Sequence, residues 1–166
     1  MSIEIEKKYV IMMPDTDALS LLPEYTRSEI TQIYLHSGVG ESHRIRKRSS
    51  SHGTSYTETK KLRIDKMSSH ENEREISEAE YTELLAGRDL SCNIIEKVRH
   101  TFRFDDRTIE IDIYPEWKSS CIMEIELPSR DTVPKLPDFI KMIKDVTGIR
   151  GYSNHAMSRE FPKEIC

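Results

Sequence analysis

A chain of 166 residues, 33% charged and 36% hydrophobic, is long enough for one domain with a sizeable core and too short for two comfortable ones. Its net charge of -4, from 25 basic and 29 acidic residues, argues against general nucleic-acid binding driven by excess positive charge. Cys92, Cys121 and Cys166 are odd in number and lack metal-type spacing, so they read as structural thiols of a reduced protein rather than as a disulfide framework. With no N-terminal apolar signal region and no run long enough to span a bilayer, the chain is expected in the cytoplasm, without membrane contact. Regular apolar alternation, with no linker, repeat or low-complexity tract, places residues 1–166 in one folded domain.

The first strand runs through Ile3-Glu4-Ile5-Glu6-Lys7-Lys8-Tyr9-Val10. Successive side chains of a strand point to opposite faces, so Glu4, Glu6 and Lys8 share one face and Ile3, Ile5 and Lys7 the other. Asp15 or Thr16 is placed to cap a short helix through Leu19, Leu21 and Leu22, limited by Pro23. Ser28 to Leu35 reads as a strand, and Gly38-Val39-Gly40 turns the chain into Ser42 to Ser49, where Arg44, Arg46 and Arg48 share a face. Ser51-His52-Gly53 marks a hairpin turn into Thr54 to Arg63, whose two faces both carry a lysine, Lys60 or Lys61. After a loop at Asp65 to Ser69, Glu71, Glu73 and Glu75 share a strand face. Ser77 followed by Glu80 is a capping-box pattern for a helix through Tyr81, Leu84 and Leu85, stopping at Gly87.

Strand patterns then resume. Ile94 to Phe104 sets Lys97, Arg99, Thr101 and Arg103 on one face, and Asp105-Asp106 turns the chain. Thr108 to Tyr114 opposes Glu110 and Asp112 to Ile109, Ile111 and Ile113, while Cys121 to Leu127 opposes Glu124 and Glu126 to Met123, Ile125 and Leu127. The spacing of Phe139, Ile140, Ile143 and Val146 predicts an amphipathic helix ended by Gly148, and Tyr152 to Phe161 a turn with a short closing helix. Trp117 reads as a packing residue, and the scattered histidines lack a zinc-ligand spacing.

A charge run on one strand is ordinarily a solvated face. Here strand after strand opposes an apolar face to charges, so if helices cover the apolar side the charged faces line a closed or nearly closed tunnel. Buried charges need partners. Arg44, Arg46, Lys61, Lys97 and Arg99 suit a polyanion, and Glu4, Glu6, Glu110, Asp112, Glu124 and Glu126 are hard oxygen donors suited to magnesium or manganese. A polyphosphate with its metal satisfies both sets.

The opening Glu4-x-Glu6-x-Lys8 resembles the E-x-E-x-K signature of the CYTH family, the triphosphate tunnel metalloenzymes, in the form seen in its bacterial tripolyphosphatase-like branch. The resemblance continues in order through Tyr34-Leu35, Arg44-x-Arg46, Thr59-x-Lys61, Glu73-x-Glu75, Lys97-x-Arg99, Glu110-x-Asp112, Glu124-x-Glu126 and Tyr152-x-Asn154. It selects Lys61 over Lys60. It implies an α+β fold, an eight-stranded antiparallel β tunnel closed as a barrel with helices packed outside, and metal-dependent hydrolysis of a triphosphate, inorganic tripolyphosphate first, by a monomer or homodimer. By position, Glu4, Glu6, Glu124 and Glu126 become metal ligands for magnesium or manganese, with Asp112 a further candidate. Lys8, Arg44, Arg46, Lys61, Lys97 and Arg99 become the phosphate cradle, with Lys8 and Lys97 also catalytic and Glu73 or Glu75 orienting the attacking water.

The sequence departs from the family in two places. Glu71 stands where relatives often carry arginine, and Gly151 where a basic residue often precedes the tyrosine, with Arg150 one place earlier. Both bear on the substrate's length and end group. The alternatives are a nucleotide- or polyphosphate-binding protein without turnover, a thiamine-triphosphatase, and a class IV-like adenylate cyclase. The cyclase reading is weakened because no His-Phe pair precedes Glu4.

Overall fold

The computed structural model describes residues 2–165, so Met1 and the thiol of Cys166 lie outside the described residues. Nine strands form one sheet: β1 (Ser2–Met12), β2 (Thr26–Leu35), β3 (Glu41–Ser50), β4 (Gly53–Arg63), β5 (Ser68–Ile76), β6 (Ile95–Phe104), β7 (Arg107–Ile113), β8 (Ser120–Glu126) and β9 (Met142–Asp145). Their order is β5-β4-β3-β2-β6-β7-β8-β1-β9, and β5 also pairs with β1, so eight antiparallel strands close into a barrel. The closing seam is short, running from Ser2 opposite Glu71 to Ile5 opposite Ser68. Beyond it β9 pairs with the same strand, placing Asp145 opposite Tyr9.

Alternation along each strand sorts its side chains into an outer apolar face and an inner, mostly charged one. The outer face is covered in two places. Tyr9, Ile11, Phe102, Ile109, Ile111, Cys121, Met123 and Ile125 form one buried cluster with Leu19 of α1 (Thr16–Leu19) and with Ile140. Ile33, Leu35, Ile45 and Ile76 form a second against Tyr81 of α2 (Glu78–Leu84). Both helices start as their sequences predict: Asp15 accepts from Asp17 and Ala18 N–H groups, and Ser77 Oγ from the Glu80 N–H. Glu80 does not reach back to complete a capping box, because its carboxylate bonds Arg74 at 3.0 Å.

The third cluster fills one end of the barrel. Val10, Tyr34, Ile95, Tyr114 and Ile122 are inward-facing by register, and they pack with Trp117, Val146 and Met157 of α3 (Asn154–Arg159). The closing helix therefore plugs the tunnel rather than packing on its outside. Tyr114 donates to Asn154 Oδ1 at 2.7 Å, fixing the start of that helix over the plug.

The segment around Phe139 to Val146 differs from its predicted helix. Met142–Asp145 is a strand on the free edge of β1, and the Val146 N–H continues the pairing by donating to the Lys8 carbonyl at 2.9 Å. The three-and-four spacing of its apolar residues instead reflects separate contacts, Ile140 with the outer cluster and Val146 with the plug.

At the end of this segment Gly148 has φ +71, and a Cβ there would lie 2.7 Å from the Cβ of Lys66. Only glycine allows this close approach between the β4–β5 turn and the C-terminal segment. Gly148→Ala is expected to cost about 1–3 kcal/mol of stability, measured by chemical denaturation; an unchanged midpoint would show that the two segments separate freely.

Candidate functional site

The inner face encloses a cavity of about 740 Å³ lined from seven of the eight barrel strands by charged residues. Register brings the acids of two strands together: across β1 and β8, Glu6 lies opposite Glu126 and Lys8 opposite Glu124. On the facing wall Arg44, Arg46 and Arg48 project from β3, Lys61 from β4, and Glu71 and Glu73 from β5, with Arg99 and Glu110 completing the lining.

Cations are interleaved between these acids. Lys61 Nζ is 3.2 Å from Glu4, 4.0 Å from Glu6 and 3.8 Å from Glu71. Lys8 Nζ is 3.3 Å from Glu124 and donates to the Tyr152 carbonyl at 3.1 Å. Arg46 and the Thr59 hydroxyl both donate to Glu73, at 3.0 and 2.8 Å. Among the described residues Arg44 and Arg48 have no carboxylate within 4.0 Å, and the Arg44 Nε is buried without a hydrogen-bond acceptor. Burial, together with Arg44 and Arg99 nearby, pulls Arg46 down to about 10, so it stays protonated at neutral pH but under strong mutual repulsion. An anion in the cavity relieves that repulsion.

Three of the expected site residues, Asp112, Lys97 and Glu75, lie elsewhere. Asp112 is 1% exposed and accepts a bidentate pair of bonds from Arg99 at 2.7 and 2.8 Å, while Lys97 lies 2.8 Å from its second oxygen. Neither Asp112 nor Lys97 lines the cavity. They form an ionic layer between the cavity and the apolar plug, with the Lys97 ammonium 5.8 Å from the Tyr114 ring centre. Although burial opposes it, the charges of Arg99 and Lys97 hold the Asp112 carboxyl well below the usual range. Arg99 spans both regions, gripping Asp112 below and bonding Glu110 at 2.7 Å in the cavity wall. Glu75 is opposite Thr57, exposed and outside the lining, whereas Glu73 is within it.

The carboxylates suit a hard divalent cation in chemistry. Glu4 Oε2 is buried, and Lys61 Nζ approaches it to 3.2 Å without hydrogen-bonding geometry. Burial raises Glu4, Glu6 and Glu126, reinforced for Glu4 by Glu71, for Glu6 by Glu124 and for Glu126 by Glu4. Glu124 is the exception: burial raises it, yet Lys8 and Arg99 bring it down to about 2. Among the described residues no three His, Cys, Asp or Glu side chains already converge as a metal-binding group. Lys61 and Lys8 occupy the space between the acids instead. Glu4, Glu6, Glu124 and Glu126 thus fit a metal once these lysines turn to phosphate; Asp112 does not, because Arg99 and Lys97 take both its oxygens.

The raised carboxyls give this fit a pH signature. They retain protons where ordinary carboxylates are ionised, and a metal must displace those protons. Magnesium or manganese affinity is therefore expected to keep rising with pH beyond the range in which ordinary carboxylates ionise, with proton release detectable in buffers of different ionisation enthalpy. In the metal-free protein the sign for stability is the reverse: a raised carboxyl contributes most below its unfolded value and loses that contribution as pH rises through its folded value. Affinity independent of pH would remove these carboxyls from the metal site.

Loops supply lining residues that strand parity cannot place. Lys66, Thr147 and Arg150 reach the cavity from the β4–β5 turn and the C-terminal segment, and Thr147 Oγ1 accepts from the Lys8 N–H at 3.0 Å. Arg150 thus brings a cation to the cavity, while Gly151 is not part of its lining. His155 stacks on Tyr34 with ring centres 4.6 Å apart, closing the cavity toward the plug.

Among known proteins, an inorganic triphosphatase from Acetivibrio thermocellus is 39% identical over 87 residues, covering 51% of this chain and 53% of that relative. The match thus spans about half the length of each. The structure of the inorganic triphosphatase NE1496 superposes with a TM-score of 0.59 at 23% identity, covering 98% of this chain and 99% of that one. HpAC1 from Hippeastrum, described with a dominant triphosphatase activity, gives a TM-score of 0.51 at 18% identity over 78% of this chain and 80% of that one. No family model matches. No helix among the described residues is long and apolar enough to cross a membrane. The resemblance to the triphosphate tunnel metalloenzymes is carried by a sequence relative over half the chain and by the closed eight-stranded fold over nearly all of it.

Proposed function

We propose that the chain hydrolyses a linear triphosphate, inorganic tripolyphosphate first, inside the barrel with magnesium or manganese as cofactor. The observation that carries this reading is the crowding of Arg44, Arg46, Arg48 and Arg99 around one cavity whose opposite wall holds Glu4, Glu6, Glu124 and Glu126. Phosphoryl transfer needs positioning and charge neutralisation more than covalent chemistry, and this arrangement offers both. When bound, a divalent metal would polarise phosphate oxygens and lower the pKa of a coordinated water.

The chain's own groups divide the remaining work. Guanidinium forks of Arg44 and Arg46 grip phosphate oxygens, and Lys8 and Lys61 exchange their carboxylate partners for phosphate. Glu73 is placed to orient water: although burial raises its pKa, Thr59 and Arg46 lower it on balance, so it remains an acceptor at neutral pH. Lys97 acts from beneath, keeping Asp112 and through it Arg99 in position.

Purified protein with magnesium or manganese is expected to release orthophosphate from tripolyphosphate in preference to other triphosphates. No release across a panel of inorganic and organic triphosphates would contradict the reading. The second reading, capture without turnover, draws on Glu71, which lies 3.8 Å from Lys61 and competes with phosphate for it.

A further inference from the structure

At the floor of the cavity, where α3 meets Tyr34, two polar side chains stand without partners. Among the described residues neither ring nitrogen of His155 has a hydrogen-bond partner, and its Nε2 is buried. The Nε of Arg44, which lies opposite Tyr34 across β2 and β3, is buried without an acceptor as well. Both residues line the cavity. Buried polar groups of a native fold are nearly always hydrogen-bonded, so two orphans around one tyrosine mark a place where a guest completes the set.

The fold holds this histidine firmly. Its ring stacks on Tyr34 with 21° between the planes, and Gln32 Nε2 pins the Tyr34 hydroxyl by donating to it at 2.7 Å. Both ends of α3 are tied: Tyr114 donates to Asn154, and Arg159 donates to Asp89, whose own N–H donates to the Tyr34 carbonyl at 3.0 Å. Burial and the Arg159 cation hold the imidazole below its ordinary pKa, against the pull of Asp89, so at neutral pH the ring is uncharged. A neutral imidazole keeps one N–H donor. It offers a hydrogen bond to an anion without adding to the repulsion that Arg44 and Arg99 already exert on Arg46.

We infer that His155 is a substrate-contacting residue whose imidazole N–H donates to an oxygen of the phosphate group held at Arg44, at the plug end of the cradle. The inference rests on the proposed placement of a triphosphate at Arg44 and Arg46. Register runs from Tyr34 to Arg44, Thr59 and Glu73 across β2 to β5, so His155 and Glu73 flank Arg44 from opposite sides. The histidine thus meets the phosphate away from the carboxylate that orients water. A donor engaged both before and during the reaction stabilises ground and transition states alike, and so acts on binding rather than on turnover.

Steady-state hydrolysis of tripolyphosphate in excess magnesium compares the native chain with His155→Phe, which keeps the stack on Tyr34 and loses the N–H, and with His155→Asn, whose amide restores a donor. His155→Phe is expected to raise KM about tenfold at nearly unchanged kcat, and His155→Asn to recover most of that loss. In parallel, nitrogen–proton NMR follows the imidazoles of the native chain as a methylene-bridged tripolyphosphate analogue is added, the His155 signals being those absent from either variant. They are expected to shift on binding while keeping the pattern of a neutral ring. A native KM in His155→Phe, or His155 signals unmoved when calorimetry shows the analogue bound, would overturn the inference alone. Absence of both turnover and analogue binding in the native chain would overturn the functional reading and this inference with it.

Discussion

Glu4→Gln is expected to lower the turnover of tripolyphosphate about 10²–10³-fold while changing its KM far less. The substitution keeps the shape of the side chain and removes the charge from a buried carboxylate whose Oε2 faces the Lys61 ammonium at 3.2 Å. The acidic wall would hold the divalent metal whose charge assistance grows as negative charge moves onto the leaving phosphate, so loss of a ligand falls on the transition state more than on the ground state. Affinity is expected to survive because the cradle on the facing wall, Arg44 and Arg46, is untouched. Steady-state kinetics on the variant decide the matter. A turnover equal to that of the native chain would remove Glu4 from the metal-binding set, and a raised KM at that unchanged turnover would assign it to general binding instead.

The largest effect on stability is expected at Asp112. Replacing it with alanine leaves Arg99 and Lys97 buried without the carboxylate that both contact at 2.7 to 2.8 Å. Breaking such a pair from one side costs about 3–5 kcal/mol, far more than its net contribution when intact. Because the native Asp112 pKa lies below its unfolded value, its contribution is complete above about pH 4 and fades as the solution becomes more acidic. Denaturation of the native chain and of Asp112→Ala across that range should therefore converge at low pH. A loss below about 1 kcal/mol at neutral pH would mean that water or another group reaches Arg99.

Alternation made most of the barrel legible from sequence. Glu4, Glu6 and Lys8, Arg44 and Arg46, and Glu124 and Glu126 all project inward because a strand's period of two fixes the side of every residue once one is known. Parity gives the side of the wall, and it does not give depth along the tunnel. Lys97 and Asp112 face inward as the pattern requires, yet they lie below the cavity floor, and Glu75 lies past its rim.

The plug that sets this depth is built from residues with unremarkable local signals. Val10, Tyr34, Ile95 and Ile122 come from four strands and Tyr114 from just past β7, and they meet Trp117 and Met157 only through long-range closure. The same cause hid β9. Phe139, Ile140, Ile143 and Val146 have the spacing of a helix face, but the free edge of β1 beyond its short seam with β5 offers the segment backbone partners that local sequence does not reveal. Lys66 and Thr147 escaped for a simpler reason, since loop residues have no period from which to place them.

The central claim is that the charged cavity turns its ligand over, and phosphorus NMR of tripolyphosphate under single-turnover conditions tests it most directly. With the protein in excess and magnesium present, the tripolyphosphate resonances are expected to give way to those of pyrophosphate and orthophosphate in equal molar amounts. Resonances that shift or broaden on binding and then persist without product would contradict hydrolysis and assign the cavity to capture.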